Sequence, residues 1–121
     1  MHWYVELRYI ADWLNHLDER SRERVVATLR VLEEHGPQLG RPLVDTVSGS
    51  RYRNMKELRP GTPGRSVLRI LFAFDPRQIA VLLVGGDKYG QWDSWYRRNI
   101  PEADRRYAAH LKTRNTNGRT T

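Results

Sequence analysis

The densest charged stretch of this 121-residue sequence spans residues 51–69. It contains six basic residues and a single acidic one, Glu57, which gives it a local charge of +5. The basic residues are Arg51, Arg53, Lys56, Arg59, Arg65 and Arg69. Guanidinium groups bind phosphate oxygens through paired N–H donors, so this composition favours a polyanionic ligand. A charged run is often only a solvated surface, but this one overlaps two predicted strands.

Alternation along those strands predicts that three of the charged side chains meet on one face of a sheet. In the strand predicted for residues 66–74, Arg69 points away from the helices. In the strand predicted for residues 52–59, Glu57 and Arg59 share a face and can lie beside Arg69. The apolar face of the strand predicted for residues 66–74 consists of Leu68, Ile70, Phe72 and Phe74. A carboxylate among guanidiniums can orient them or accept a proton from a 2′-hydroxyl; the alternative is a purely structural ion pair between Glu57 and Arg69.

A second polar segment, VGGDKYG at residues 84–90, follows the last predicted strand. Glycines that leave a strand can approach a phosphate closely, but the segment lacks the spacing of a nucleotide-binding loop. Lys88 and Tyr89, at the end of the strand, are predicted site residues. The alternative is an ordinary polar loop.

The aromatic residues Trp92, Trp95 and Tyr96 are closely spaced and have two interpretations. They can stack nucleobases, or they can anchor a C-terminal helix to the core.

The four histidines are scattered without the spacing of metal ligands, and the chain has no cysteine. The sequence therefore predicts no metal and no cofactor, and it excludes disulfides and cysteine nucleophiles.

The net charge of +7 is unevenly distributed. Residues 1–40 carry 5 arginines against 7 acidic residues, whereas residues 41–121 carry 16 basic residues against 7 acidic ones. A polyanionic partner is the simplest explanation of this asymmetry. Arginine outnumbers lysine by 18 to 3, a preference that phosphate binding or a GC-rich genome would each produce.

No apolar stretch approaches the ~20 residues that span a bilayer, and the start lacks a secretory signal pattern, so a cytoplasmic protein without membrane contact is expected.

The apolar periodicity predicts an α+β fold in the order β-α-α-β-β-β-α, with a helical hairpin packed on a small antiparallel sheet. The two hairpin helices are predicted from residue 8 to 17 and from about residue 18 to 35, where Gly36 and Pro37 end the second. Residues 44–47 can add a short strand.

The final helix is predicted to begin at Pro101, because proline suits the first helical turn, and to end near Leu111. One domain is predicted over residues 1–111. Residues 112–121 contain no apolar side chain and are predicted to form a disordered tail.

Three short motifs, in this order and spacing, resemble the RelE/HigB family of type II toxin–antitoxin toxins, and most closely its phage-derived, HigB-like branch. They are MKELR at 55–59, RILFAF at 69–74 and LLVGGDK at 82–88. The sequences GP at 36–37, LGRP at 39–42 and WL at 13–14 agree with that branch. The resemblance covers approximately residues 3–111.

This resemblance implies a RelE-like fold and a ribosome-dependent endoribonuclease that cleaves messenger RNA and inhibits translation. It also implies neutralisation by a cognate antitoxin, which in this branch is usually a helix-turn-helix protein. Cleavage in such toxins is metal-free: the 2′-hydroxyl attacks the adjacent phosphate, and cationic side chains stabilise the developing charge.

The resemblance assigns site residues at Arg59, Arg69, Lys88 and Tyr89, and the charge and aromatic patterns described above add the others. Catalytic roles fall on Glu57, Arg59, Arg69, Lys88 and Tyr89. RNA contacts are predicted for Arg51, Arg53, Lys56, Arg65 and Trp92. Tyr89 is the nearest match to the family's tyrosine, with Tyr96 and Tyr107 as substitutes. Because Glu57 stands where some relatives carry lysine, the general base is Glu57, Tyr89 or neither.

A second interpretation comes from a different functional class. ParE-like relatives share the fold and act without catalysis, by binding a protein such as gyrase. The retained cations Arg59, Arg69 and Lys88 favour the ribonuclease.

Overall fold

The computed structural model describes residues 2–61 and 64–119, with side chains described as far as Thr113. Two N-terminal helices, a five-stranded sheet and a long C-terminal helix form an α+β fold, which confirms the predicted class. The elements are β1 (Val5–Glu6), α1 (Ala11–His16), α2 (Glu19–His35), a 3-10 turn (Gly36–Gln38), β2 (Val44–Thr46), β3 (Lys56–Leu58), β4 (Leu68–Phe74), β5 (Ala80–Asp87) and α3 (Asp93–Arg119). Within the described part of the chain, no helix is both long and apolar enough to cross a bilayer.

The strands lie side by side in the order β1-β5-β4-β3-β2. The pairs β2–β3, β3–β4 and β4–β5 are antiparallel, whereas β1 pairs with β5 in parallel. The predicted antiparallel sheet is confirmed for β2 to β5, and the parallel pairing of β1 at one edge was not predicted. Alternation along a strand reports which face is buried, but it does not fix the direction of a partner that lies far away in the sequence. β2 also adds one strand to the predicted order.

The hairpin of α1 and α2 covers one face of the sheet. α2 begins after Asp18, whose carboxylate accepts a hydrogen bond from the N–H of Ser21 at 3.2 Å, and it ends at Gly36, whose φ is 57°. The apolar residues of β4 that were predicted to face the helices all lie in this core, together with Val25, Leu29 and Leu32 of α2. The predicted helical hairpin and the predicted buried face of β4 are confirmed.

The opposite face of the sheet packs against α3. The second core there consists of Met55, Leu71, Ala73, Val81, Leu83, Trp95, Ile100, Ala103 and Tyr107 and their neighbours. The predicted start of the helix at Pro101 is wrong, because α3 begins at Asp93 and Pro101 lies inside it. Proline removes one backbone hydrogen bond, but the burial of Trp95 and Ile100 against the sheet keeps the earlier turns helical.

α3 continues to Arg119, beyond the predicted end near Leu111 and into the segment 112–121 that was predicted to be a disordered tail. No proline follows Pro101, so nothing in the covalent chain interrupts the helical hydrogen bonds in this segment. Thr120 and Thr121 lie outside the described residues, and the domain boundary at residue 111 stays a prediction.

Gly85 and Gly86 lie within β5, with a tryptophan packed closely against each backbone. A Cβ atom at Gly85 would collide with the indole ring of Trp13, and one at Gly86 would collide with the indole ring of Trp95. The suggestion that these glycines approach a phosphate is therefore replaced by a packing role: their missing side chains admit the two tryptophans.

We expect Gly85→Ala to lower the free energy of unfolding by about 1–3 kcal/mol, because a Cβ has no space beside Trp13 and overpacking strains a dense core. Chemical denaturation measures the difference. Gly40→Ala is the matched control, since a Cβ at Gly40 meets no atom within 4 Å. Equal stability of the two variants would contradict the packing role.

Candidate functional site

Glu57 of β3 lies at the centre of a charged cluster on the face of the sheet that packs against α3. Only 4% of the residue is exposed. Its Oε2 accepts hydrogen bonds from Nε and Nη2 of Arg59 at 3.0 and 2.7 Å, and its Oε1 accepts one from the hydroxyl of Tyr96 at 2.5 Å. Nε of Arg69 lies 3.8 Å from Oε1. These partners satisfy a carboxylate that burial alone would destabilise.

The strand register explains why these groups meet. Glu57 pairs with Leu71 across β3 and β4, which makes Arg69 a diagonal neighbour on the same face. On its other side Glu57 lies directly opposite Asp45 of β2. Two carboxylates in this position repel each other. Nη2 of Arg59 lies between them, 2.7 Å from Glu57 and 3.1 Å from Asp45, and so holds the two strands together.

Asp45 and Arg59 are both stabilised in their charged forms. The pKa of Asp45 is lowered, chiefly by the hydrogen bond from Arg41 at 3.0 Å and then by the N–H of Thr46. The pKa of Arg59 is raised, chiefly by its hydrogen bond to Glu57. The guanidinium of Arg59 is therefore fixed by one carboxylate on each side.

The guanidinium of Arg69 has fewer partners. Its Nη1 donates to the carbonyl of Leu68 at 2.8 Å, and its buried Nε has no hydrogen-bond partner among the described residues. The side chain is 17% exposed. A buried donor without an acceptor is costly, and the carboxylate of Glu57 lies just beyond hydrogen-bond distance of this one.

Tyr96 and Lys88 complete the cluster from the α3 side. Nζ of Lys88 donates to the hydroxyl of Tyr96 at 3.1 Å and lies 4.9 Å from the centre of its ring. Burial, followed by the hydrogen bond to Glu57, raises the pKa of Tyr96 to about 12, so its hydroxyl stays protonated at neutral pH. Burial, followed by the charge of Arg69, lowers the pKa of Lys88.

An open groove of about 320 Å³ runs along one side of this cluster. Its lining includes the carboxylate-bearing residues Glu57 and Asp93, the hydroxyl-bearing residues Thr46 and Ser48, and Tyr96. These groups accept and donate hydrogen bonds, which suits ribose hydroxyls and base edges. Solvent reaches Glu57 and Tyr96 from this groove.

Comparison with protein families gives one match over most of the chain. The model of the family described as "Phage derived protein Gp49-like (DUF891)" matches residues 12–108. The chain belongs to this Gp49-like family. The family assignment confirms the resemblance to the phage-derived, HigB-like branch that the sequence motifs indicated.

Two curated proteins of Mycobacterium tuberculosis are similar to this Gp49-like chain. The first is named "Putative toxin HigB2" and is 55% identical over 109 residues, which cover 90% of this chain and 54% of that protein. The second is named "Putative toxin HigB3" and is 49% identical over 102 residues, which cover 84% of this chain and 87% of that protein. The chain thus spans about half the length of the first relative and most of the second.

The Gp49-like fold brings four of the five predicted catalytic residues together and leaves one outside. Glu57, Arg59, Arg69 and Lys88 lie within the cluster, either in contact with Glu57 or linked to it through Tyr96. Tyr89 is 48% exposed and turns away, with its ring against Trp92. Of the two substitutes, Tyr96 lies in the cluster. Tyr107 is buried and donates to the carbonyl of Phe74 at 3.2 Å.

The predicted RNA-contact residues are dispersed. Arg51, Arg53 and Arg65 are exposed on loops. Lys56 alternates with Glu57 along β3 and points to the opposite face of the sheet. Trp92 is exposed next to Lys88, whose Nζ lies 5.6 Å from the centre of the indole ring. Trp95 is 3% exposed and anchors α3, as one of the two interpretations of the aromatic cluster predicted.

Sequence reasoning missed Asp45 and ranked Tyr96 below Tyr89. The register of β2 on β3 places Asp45 opposite Glu57, and no local pattern reveals that register. The role of Tyr96 depends on the start of α3 at Asp93, which puts it in the first helical turns next to the buried Trp95. A helix predicted to begin before the aromatic cluster would have identified Tyr96.

The donor set does not suit a divalent cation. Glu57 is surrounded by the cations Arg59, Arg69 and Lys88, which repel a metal ion. Among residues 2–61 and 64–119, no three carboxylate or histidine side chains are grouped as metal ligands.

Proposed function

We propose that the chain is the toxin of a type II toxin–antitoxin system and an endoribonuclease that cleaves messenger RNA on the ribosome. The single observation that carries this proposal is the hydrogen-bonded pair of Glu57 and Tyr96 within reach of three cationic side chains. Such a constellation can move a proton and stabilise an anionic phosphorane in one place. The similarity to the two proteins named as toxins supports the same conclusion.

The reaction follows from the chemistry of RNA. The 2′-oxygen attacks the adjacent phosphorus and loses its proton, and the bond from phosphorus to the 5′-oxygen breaks. The leaving 5′-oxygen takes up a proton. The products are a 2′,3′-cyclic phosphate and a 5′-hydroxyl end, and no oxidant or metal is consumed.

Glu57 is the group assigned to accept the proton of the 2′-hydroxyl. It borders the groove through which a ribose can approach, and it is the carboxylate nearest to Arg69. In the free protein its oxygens are engaged by Arg59 and Tyr96. A phosphate that binds to the guanidiniums competes for these donors and releases an oxygen of Glu57 for the hydroxyl.

The remaining roles are assigned to Arg69, Tyr96 and Lys88. Arg69, whose side chain is 17% exposed beside Glu57, binds a non-bridging phosphate oxygen and stabilises the charge that develops in the transition state. Tyr96 stays protonated, because its pKa is about 12, and acts as a hydrogen-bond donor. Lys88, whose pKa is lowered by burial and by Arg69, protonates or stabilises the leaving oxygen.

The proposed partners are the ribosome with its messenger RNA and, in addition, a cognate antitoxin. The second part of the chain, residues 41–121, carries the excess positive charge. An acidic or amphipathic segment of the antitoxin would complement this surface. A complex that leaves both the Glu57 cluster and α3 uncovered would contradict this assignment.

We expect expression of the chain without an antitoxin to stop protein synthesis before DNA synthesis, because the site suits RNA. Pulse labelling with radioactive methionine and thymidine gives the order of the two events. Mapping of RNA ends should show new 2′,3′-cyclic phosphates within coding sequences. If DNA synthesis stops first and messenger RNA stays intact, the ParE-like interpretation replaces the ribonuclease.

A further inference from the structure

Two aromatic side chains are exposed beside the Glu57 cluster, in the loop between β5 and α3. Trp92 is 51% exposed and Tyr89 is 48% exposed. Their ring centres lie 6.1 Å apart, with an angle of 63° between the ring planes, so the two rings form one continuous edge-to-face unit. Two exposed rings in contact are more informative than a single exposed ring, because contiguous apolar surface marks interaction sites.

The backbone fixes the position of Trp92. Its φ is 43°, in the left-handed region that residues with a side chain rarely adopt. The N–H of Trp92 donates to the carbonyl of Lys88 at 3.0 Å, and its own carbonyl accepts from the N–H of Trp95 at 3.1 Å. A tight turn between Lys88 and the buried Trp95 therefore holds the exposed indole.

Lys88 connects this aromatic pair to the site. Its Nζ lies 5.6 Å from the centre of the Trp92 ring and 4.9 Å from the centre of the Tyr96 ring, and it donates to the Tyr96 hydroxyl. The carboxylate of Asp87 accepts from the N–H of Tyr89 at 3.0 Å and from that of Val67 at 2.9 Å, which fixes the loop next to the residue that precedes β4. The charge of Lys88 thus lies between the exposed indole and the buried carboxylate of Glu57.

We propose that Trp92, supported by the edge contact of Tyr89, is a stacking platform for one unpaired nucleobase of single-stranded RNA. The phosphate attached to that nucleotide lies at Lys88, which places the neighbouring phosphate toward the Glu57 cluster. Every base has a π face, so the platform binds RNA with little sequence preference. This inference rests on the proposed function for the nature of the ligand, but it concerns binding and not cleavage.

The ligand chemistry is indicated by the combination of ring and charge. An exposed aromatic side chain with an ammonium group 5.6 Å from its ring centre offers an aromatic surface and a phosphate contact next to each other. The surrounding segment also belongs to the part of the chain with excess positive charge.

The test measures binding of short RNA oligonucleotides that cannot be cleaved because every 2′-hydroxyl is methylated. A set of such oligonucleotides carries one abasic position, moved along the strand. Fluorescence anisotropy at low salt gives Kd for the wild type, Trp92→Ala, Trp92→Phe and the control Tyr4→Ala, which removes an aromatic ring that is 82% exposed on the N-terminal segment. Thermal melting confirms that all four proteins are folded.

We expect Trp92→Ala to raise Kd about 10-fold, Trp92→Phe to restore most of the binding, and Tyr4→Ala to leave Kd unchanged. One abasic position should weaken binding by the wild type to the level of Trp92→Ala and should have no further effect on that variant. This lack of additivity identifies stacking on Trp92.

Three results would overturn the platform. The first is no measurable binding by the wild type, and the second is an unchanged Kd for Trp92→Ala. The third is that every abasic position weakens binding by Trp92→Ala as much as it weakens binding by the wild type. Loss of growth arrest in Trp92→Ala with an unchanged RNA Kd would instead assign the surface to a protein ligand. Because the oligonucleotides are not cleaved, the platform is tested separately from the proposed activity. A toxin that binds them as expected but cleaves no messenger RNA would retain the platform and lose the ribonuclease.

Discussion

Arg69→Ala should reduce RNA cleavage by about 10²–10³, the loss expected when one donor to a developing oxyanion is removed. The reason is the position of its guanidinium: the side chain is partly exposed and lies beside Glu57, with Nε 3.8 Å from Oε1, so a phosphate that reaches Glu57 also reaches this cation. Cleavage of ribosome-bound messenger RNA under single-turnover conditions measures the effect.

The stability of the same variant distinguishes a site residue from a structural one. Glu57 retains Arg59 and Tyr96 when Arg69 is truncated, so the free energy of unfolding should fall by only about 1 kcal/mol. Arg77→Ala is the matched control, because Arg77 is an exposed arginine outside the predicted site and the predicted RNA contacts. Unchanged cleavage would remove Arg69 from the site, and a collapsed fold would show that the ion pair with Glu57 is structural.

The sequence alone predicted the environment of those residues whose position depends only on alternation along their own strand. The alternation of β4 and β3 predicted the buried apolar faces, and it placed Glu57, Arg59 and Arg69 on one side. Strands joined by short turns have few possible registers. The meeting of these three residues is therefore predictable from the sequence alone.

The remaining features depend on contacts between distant elements. β1 pairs in parallel with β5, and β2 places Asp45 opposite Glu57, because the packing of the whole sheet decides these pairings. Likewise, α3 extends N-terminally past Pro101 because Trp95 fills the space above Gly86, a match between residues on different elements. The early start of α3 brings Tyr96 into the cluster in place of Tyr89.

Glu57→Gln should have the largest effect of any single conservative change, a reduction in cleavage of about 10²–10⁴. The amide cannot accept the proton of the 2′-hydroxyl. One of its two polar atoms also becomes a donor, which opposes either the donors of Arg59 or the hydroxyl of Tyr96. The volume is conserved, so no cavity forms.

A comparison with Asp45→Asn separates the two roles that a carboxylate among guanidiniums can have. Asp45 accepts from Nη2 of Arg59 at 3.1 Å, as Glu57 does at 2.7 Å, but among the described residues it is Glu57 and not Asp45 that accepts a hydrogen bond from Tyr96. If Glu57 only orients Arg59, the two variants should lose similar amounts of activity. If Glu57 takes the proton, Asp45→Asn should retain cleavage within about tenfold of the wild type, while Glu57→Gln falls much further. Melting temperatures of both variants, measured in the assay buffer, verify that the rates come from folded protein. Equal losses would leave Glu57 as a positioning residue and would move the search for the base to Lys88, which donates to the Tyr96 hydroxyl.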